Sequence, residues 1–149
     1  MFYWEKQKKI KALYDMYARP VRMKHDLTPM AYSVLMFLHR NPAHDTAASI
    51  VQISQFAKSQ VSAAIKDLEK RELITKEYLG NNNKTIHLRL TEQAEEILQE
   101  AEHAEKQYTG CLFAGFSEEE LQQIKQVFAR ICDNAEAELQ YREEGEKDA

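Results

Sequence analysis

The sequence predicts a mainly α-helical protein that carries one small β-hairpin. Only four Gly and three Pro occur among 149 residues, which leaves little room for long loops. Most of the chain shows the three-and-four spacing of apolar residues that is typical of amphipathic helices. The exception is the pair of segments LITKEYL and KTIHLRL. They flank GNNN, where Gly and Asn suit the positive φ of a tight hairpin turn.

Two helices are expected ahead of residue 45. The first runs from about Tyr3 to Met23, and Pro20 is expected to bend it or end it early because proline cannot continue the helical hydrogen-bond ladder. Thr28-Pro29 marks the second start, since a threonine N-cap followed by proline favours a helix. The next segment, MAYSVLMFLHR, is apolar nearly all round and should form the central buried helix, which Asn41-Pro42 closes.

Two shorter helices and the hairpin follow. Asp45-Thr46 is predicted to cap the first short helix, and a break near residues 55–58 separates it from the second. Apolar side chains should turn inward from both helices: Ile50, Ile53 and Phe56 from the first, and Val61, Ile65 and Leu68 from the second. Strands are expected over Leu73–Leu79 and Lys84–Leu90. A helix-turn-helix followed by a hairpin wing is a winged helix, whose second short helix suits the major groove of DNA.

Two long helices complete the chain. Thr91-Glu92 is predicted to cap a helix that reaches about Cys111, and Gly110 and Gly115 mark the break after it. The capping-box spacing of Ser117 and Glu120 starts the last helix, which runs to about Tyr141 before a frayed tail. The residues predicted to turn inward from this helix are Leu121, Ile124, Val127, Phe128, Ile131 and Leu139.

These elements predict one domain over residues 1–149. The winged helix-turn-helix core occupies residues 28–91, and helical regions flank it over residues 1–25 and 92–141. The flanking helices carry apolar stripes that a core of this size cannot fully cover. A symmetric homodimer would cover the stripes and would pair two reading helices for a pseudo-palindromic operator.

The net charge of −4 is unevenly distributed along the chain. Residues 1–45 carry eight Lys/Arg and four Asp/Glu, residues 46–90 carry seven and four, and residues 91–149 carry five and sixteen. The first two segments are therefore basic and the last is strongly acidic. A basic pole opposite an acidic one orients a protein towards a polyanion over roughly a Debye length of ~10 Å. The alternative is that the acidic helices only aid solubility.

Three functional classes are disfavoured by the sequence. Since no run of ~18 apolar residues occurs, a membrane span is not expected. The N-terminal segment MFYWEKQKKIKALY does not resemble a secretory signal, so a cytoplasmic location is expected. A Gly-rich phosphate loop, a nucleophile elbow and a carboxylate–histidine pairing of catalytic spacing are all missing, so neither an enzyme nor a cofactor is expected.

Several segments, in this order, resemble the multiple-antibiotic-resistance regulator (MarR) family of bacterial winged-helix transcription factors. LTPMAYSVLMFL is similar to the family's central helix, of the form LTPxQxxVLxxL. KSQVSAAIKDLEKRELI resembles its recognition helix, and KTIHLRLTEQA resembles its second wing strand. The resemblance covers residues 27–98 and implies a dimeric DNA-binding regulator, most often a repressor, that responds to a small aromatic molecule.

The residues expected to contact DNA lie on the second short helix and on the wing. They are Lys58, Ser59, Gln60, Ser62, Ala63 and Lys66 on the helix and, by the resemblance, Asn82, Asn83 and Lys84 on the wing. Gln60 suits the N6 and N7 atoms of adenine, whereas Lys58 and Lys66 suit phosphates. A plain solvated helix face is the alternative. The family usually has Asp-x-Arg-Arg in the wing, arginine at Ala63 and glycine at Glu72, so these departures predict a less charged interface and a different helix end.

Candidate sensor residues fall into three groups. The resemblance implies an effector cleft, for which the candidates are Tyr14, Tyr17, Met36, His39 and Phe113, although core packing would equally explain them. The five histidines are scattered, but Glu100, Glu102 and His103 could join a metal site with another helix, so a metal-sensing regulator stays open. Cys111 and Cys132 are predicted to be buried and inert. The remaining alternative is a winged-helix protein-interaction module that has lost DNA binding.

Overall fold

The computed structural model describes the backbone of residues 2–81 and 83–147, and the side chains of residues 5–81 and 83–145. Over these residues six α-helices and one two-stranded hairpin follow one another. Their bounds are α1 Phe2–Lys24, α2 Pro29–Arg40, α3 Ala47–Ser54, α4 Lys58–Lys70, β1 Ile74–Glu77, β2 His87–Leu90, α5 Glu95–Leu112 and α6 Glu118–Lys147. The predicted class, mainly α with a small β-hairpin wing, is confirmed.

Helix α1 does not end at Pro20. It continues to Lys24, close to the predicted end at Met23, so the alternative that Pro20 ends the helix early was wrong. Proline removes one backbone donor from the ladder. On either side of it, however, Ala18 and Val21 are buried in the core, and this packing maintains the helix beyond the lost hydrogen bond.

Helix α2 is the central buried helix, as predicted. The Thr28 hydroxyl accepts a hydrogen bond from the Ala31 amide at 3.1 Å, and Pro29 occupies the first turn. At the other end the Asn41 amide donates to the carbonyl of Phe37 at 2.9 Å. The helix residues buried in the core are Ala31, Tyr32, Val34, Leu35, Met36 and Leu38.

Helices α3 and α4 form the predicted helix-turn-helix. The Thr46 hydroxyl caps α3 by accepting from the Ser49 amide at 3.1 Å. Gln55 ends α3 in the left-handed region (φ 58°), which turns the chain into α4. Ile50 and the inward face of α4 are fully buried, but Ile53 is 50% exposed, so its prediction as an inward residue was wrong. Because α3 has only eight residues, one turn of it reaches the core.

The hairpin is shorter than predicted. Antiparallel pairing runs from Ile74–Leu90 to Glu77–His87, so each strand has four residues instead of seven. Tyr78, Leu79 and Ile86 lie beyond the ladder and are exposed. The apolar pattern that predicted longer strands therefore continues into the tip, where the two chain segments no longer pair.

The helices after the hairpin begin and end differently from the prediction in two places. Thr91 is followed by a short 3-10 turn, Glu92–Ala94, and α5 starts only at Glu95. The Thr91 hydroxyl donates to the Glu72 carbonyl at 2.6 Å instead of capping the helix. Gly115 (φ 82°) makes the break before α6, which continues to Lys147 rather than ending near residue 141.

The N-terminus of α6 is the predicted capping box. The Ser117 amide donates to the Glu120 carboxylate at 2.7 Å, and the Glu120 amide donates to the Ser117 hydroxyl at 3.1 Å. These reciprocal bonds satisfy two donors that a helix end otherwise leaves free.

The chain divides into two compact units, Met1–Thr109 and Gly110–Ala149. The first contains the buried core, which is built around α2, α4 and the paired strands. Within the described residues, every helix is too short or too polar to cross a membrane.

Candidate nucleic-acid interface

Helix α4 has one buried and one exposed face. Val61, Ala64, Ile65 and Leu68 are at most 5% exposed and hold the helix against α2 and β1. The predicted DNA-contacting residues of this helix are all exposed: Lys58, Ser59, Gln60, Ser62, Ala63 and Lys66. The structure therefore places six predicted contacts together on one surface.

The start of α4 has free backbone donors. Its N-cap residue is Ala57, whose side chain has no polar atom with which to cap the first-turn amides. An exposed helix N-terminus of this kind attracts phosphate oxygens, because its free N–H groups lie at the positive end of the helix dipole. The lysine at the first position, Lys58, adds a full charge at the same place.

An open groove of about 430 Å³ lies between the start of α2 and the exposed face of α4. It is lined by Thr28, Pro29, Met30, Gln60, Ala63, Ala64 and Asp67. The start of α2 thus borders the surface that carries Gln60. Sequence reasoning did not assign Met30 to this surface, since its position depends on how α2 crosses α4.

Glu72 ends α4 in a conformation that favours glycine. Its φ is 58°, and the flanking amides make the two bonds of a Schellman motif: Glu72 N–H to Glu69 O at 3.0 Å and Leu73 N–H to Leu68 O at 2.9 Å. The helix therefore ends as it would with glycine at this position, although the residue is glutamate, so the prediction of a different helix end was wrong.

The wing presents little charge at its tip. Asn83 and Lys84 are exposed beside Gly80, which adopts a positive φ of 60°. Asn82, the third residue predicted in the wing, lies outside the described residues. Lys84 thus places one positive charge at the position where the family has arginine.

The base of the wing is held by a buried carboxylate that sequence reasoning had read only as part of a helix cap. Asp45 is 9% exposed, and its two oxygens lie 2.7 Å from His87 Nδ1 and 3.0 Å from Arg89 Nη1. The Asp45 carbonyl also accepts from the Leu88 amide at 2.7 Å. Arg89 Nε in turn donates to Glu77 at 3.0 Å. These contacts join the loop before α3 to strand β2.

One of the predicted effector residues, Tyr14, belongs to a cluster of tyrosines. Tyr14 and Tyr108 meet edge to face with centroids 5.4 Å apart. Burial raises the pKa of Tyr14, and it raises the pKa of Tyr32 to about 12. Arg40 and Glu105 form an ion pair that acts on both phenols.

The other predicted effector residues are dispersed. Tyr17 borders a separate cavity of about 600 Å³ between α1 and α5. Met36 is buried in the core. His39 Nε2 lies 2.6 Å from Glu102, and this hydrogen bond lowers the pKa of the Glu102 carboxyl. Phe113 belongs to the second unit, where it meets Phe116 edge to face.

Glu100 lies beside a histidine other than the neighbouring His103. Its carboxylate is 3.1 Å from His25 Nε2 and also contacts the Lys24 ammonium, which lies 3.4 Å from Glu96. The hydrogen bond from Lys24 lowers the pKa of Glu100, and the same bond raises the pKa of Lys24.

Two further predictions about burial were wrong. Cys111 and Cys132 are both exposed. Five of the α6 residues that were predicted to turn inward are exposed: Ile124, Val127, Phe128, Ile131 and Leu139. Sequence periodicity identifies an apolar stripe but does not say what covers it.

Comparison with known proteins agrees with this geometry. Residues 25–78 match the family model described as the MarR family. The chain is also similar to solved structures whose sequences are less than 25% identical to it, and this similarity establishes the fold alone.

Three of these structures illustrate the likeness. A MarR-family transcriptional regulator of Listeria monocytogenes, solved with a 26-mer DNA, is 19% identical, with a TM-score of 0.74 over 95% of this chain and 93% of that one. MepR of S. aureus in complex with DNA is 17% identical, with a TM-score of 0.73 over 91% and 96%. The organohalide-sensing regulator RdhR-CbdbA1625 in its 2,4-dichlorophenol-bound form is 17% identical, with a TM-score of 0.66 over 89% and 79%.

Proposed function

We propose that this chain, whose residues 25–78 match the MarR-family model, regulates transcription by binding duplex DNA with α4 in the major groove. The observation that carries this proposal is the division of α4 into a fully buried apolar face and an exposed face of small polar and basic residues. The exposed face begins at a helix end whose backbone donors are free for phosphate.

Each exposed residue of α4 has a role that follows from its chemistry. Gln60 pairs with adenine, and the hydroxyls of Ser59 and Ser62 bond either kind of base-edge group. Ala63 contacts a thymine methyl group. The phosphate contacts in this proposal are Lys58 and Lys66 on the helix and Lys84 on the wing. Asn82 and Asn83 are uncharged contacts of the wing. Fewer charges imply a shallower salt dependence than that of an arginine-bearing wing.

The protein acts as a homodimer in this proposal. Helix α6 exposes an apolar stripe from Ile124 to Leu139. Contact between apolar surface and water is unfavourable, and a second copy of the chain would bury the stripe. Two copies related by a two-fold axis present two α4 helices. A pseudo-palindromic operator with half-sites about 34 Å apart then suits them.

A small aromatic effector is the proposed signal, and repression is the proposed sign of regulation. The related regulator bound to 2,4-dichlorophenol supports the first point. The first unit contains four of the predicted effector residues, Tyr14, Tyr17, Met36 and His39, and Tyr17 borders the cavity of about 600 Å³ between α1 and α5. A ligand that binds the DNA-free arrangement more tightly than the DNA-bound one would release the operator.

The proposal is tested by fluorescence anisotropy with duplex DNA from upstream of the protein's own gene, at several salt concentrations. Lys66→Ala should weaken binding to all sequences and reduce the salt slope by about one, whereas Gln60→Ala should lose about 1–3 kcal/mol and relax specificity at one base pair. Lys106→Ala, which removes an exposed charge from α5, is the matched control and should bind normally.

Two results would contradict the proposal. Full affinity of the Gln60→Ala/Lys66→Ala double variant would show that α4 is not the reading helix. Failure to bind duplex at low salt, or an affinity that does not change with salt, would favour the protein-interaction module instead.

A further inference from the structure

A histidine and two glutamates converge where the end of α1 meets α5. Glu96 and Glu100 are four residues apart and so share one face of α5. His25 follows the last residue of α1. One ligating atom from each of the three side chains lies within 4.8 Å of the other two.

The cluster already attracts a cation from the chain itself. The Lys24 ammonium contacts Glu100 and lies 3.4 Å from Glu96. The Lys24 side chain is 57% exposed, and it has a flexible stem, so it leaves at little cost. His25 is held more firmly, with 15% of its side chain exposed and Nε2 at 3.1 Å from Glu100.

We propose that His25, Glu96 and Glu100 form a site for a divalent transition-metal ion of the zinc type, which replaces the Lys24 ammonium. One imidazole nitrogen and two carboxylate oxygens are a ligand set for Zn²⁺, whereas Mg²⁺ and Ca²⁺ prefer oxygen alone. Tetrahedral ligands of Zn²⁺ lie about 3.4 Å apart. The present spacing of up to 4.8 Å must therefore shorten by about an ångström, and Glu96, whose side chain is 71% exposed, has room to rotate inward.

Metal binding at this site requires both His25 and Lys24 to change their contacts with Glu100. His25 Nε2 must be without its proton to bind the ion, although it now faces a Glu100 oxygen. The hydrogen bond between His25 and Glu100 is therefore exchanged for bonds from both side chains to the ion. The Lys24 ammonium keeps its proton and moves into solvent.

The site is physically joined to the reading helix. Arg71, the C-cap residue of α4, donates to the Asp26 carbonyl at 2.8 Å and also to the His25 carbonyl. Asp26 has a positive φ of 50°, so this turn has a specific backbone shape. A metal ion that moves His25 would act on the residue that Arg71 binds. An effect on DNA affinity rests on the function proposed above.

Calorimetric titration of the full chain with ZnCl₂ tests the site. His25→Ala and Glu100→Gln should each weaken binding by at least about tenfold, because each removes a ligand. Lys24→Ala should tighten it by about threefold or more, since a competing cation is lost. His44→Ala, which removes an exposed histidine that does not belong to the cluster, should bind like the wild type.

Circular dichroism is used to check that each variant is folded. Lys24→Ala alters only an exposed side chain and should fold normally. Equal Zn²⁺ affinity of the wild type and His25→Ala, or unchanged affinity in Lys24→Ala, would overturn the proposal. DNA anisotropy with and without ZnCl₂ is measured separately. A chain that binds Zn²⁺ with the predicted variant pattern but does not bind DNA would keep the metal site and refute the proposed function. If both bind, DNA must change Zn²⁺ affinity by the same factor as Zn²⁺ changes DNA affinity.

Discussion

Replacing Glu72 by glycine should make the protein more stable. Glu72 has a φ of 58°, which costs a residue with a Cβ atom roughly 1–2 kcal/mol. Glycine avoids that cost but loses roughly 0.5–1 kcal/mol more backbone entropy on folding. The Schellman bonds and the bond from Thr91 involve only backbone atoms of residue 72, so they survive the change. The net gain should be about 1 kcal/mol, or about 2–4 °C in Tm for a chain of this size.

Thermal unfolding followed by circular dichroism at one fixed protein concentration measures this gain. Two controls separate the backbone effect from the loss of a charged side chain. Glu72→Ala keeps the Cβ atom and should unfold close to the wild type. Lys70→Gly, two residues earlier in the helix, should be destabilised by about 1 kcal/mol. A Glu72→Gly protein that melts at or below the wild-type temperature would refute the reasoning.

Two further predictions concern the wing and the tyrosine cluster. Asp45→Ala should reduce the free energy of unfolding by about 1–3 kcal/mol in urea, because it leaves His87 and Arg89 without a buried acceptor. Glu77→Ala, which breaks the more exposed Arg89 pair, should lose less than about 1 kcal/mol, and equal losses would contradict this account. Because the pKa of Tyr32 is raised from 10.0 to about 12, the folded state keeps a proton that the unfolded state releases, so stability is lost as pH rises from 10 towards 12. Urea titrations at about pH 9 and about pH 11 measure this loss. The free energy of unfolding should fall by about 1 kcal/mol less in Tyr32→Phe than in the wild type, and an equal fall in both proteins would contradict the prediction.

The parts of the fold that sequence could predict are those decided within a few residues. Thr28, Thr46 and Ser117 each cap a helix through a hydrogen bond that spans three positions. The inward residues of α4 follow from helical spacing alone. The glycine-like end at Glu72 was harder to predict, because a residue with a Cβ atom disfavours the positive φ that the hydrogen bonds of this helix end impose.

The parts that sequence could not predict depend on distant segments. Asp45 meets His87 and Arg89 only after the hairpin folds against the loop before α3. His25 and Glu100 are 75 positions apart, and no local pattern links them. Cys132 and the apolar stripe of α6 are exposed, because helical periodicity describes which residues share a face and not what covers that face.

The exposed stripe of α6 has a thermodynamic consequence for the proposed dimer. The stripe extends over about 22 Å of helix, from Ile124 to Leu139, so in the proposed dimer this apolar surface would be removed from water by association and not by folding of one chain. Mass action then ties stability to the amount of protein present. Dilution below the dissociation constant would return this surface to water, and a cell that makes too little of the regulator would lose folded molecules as well as operator occupancy.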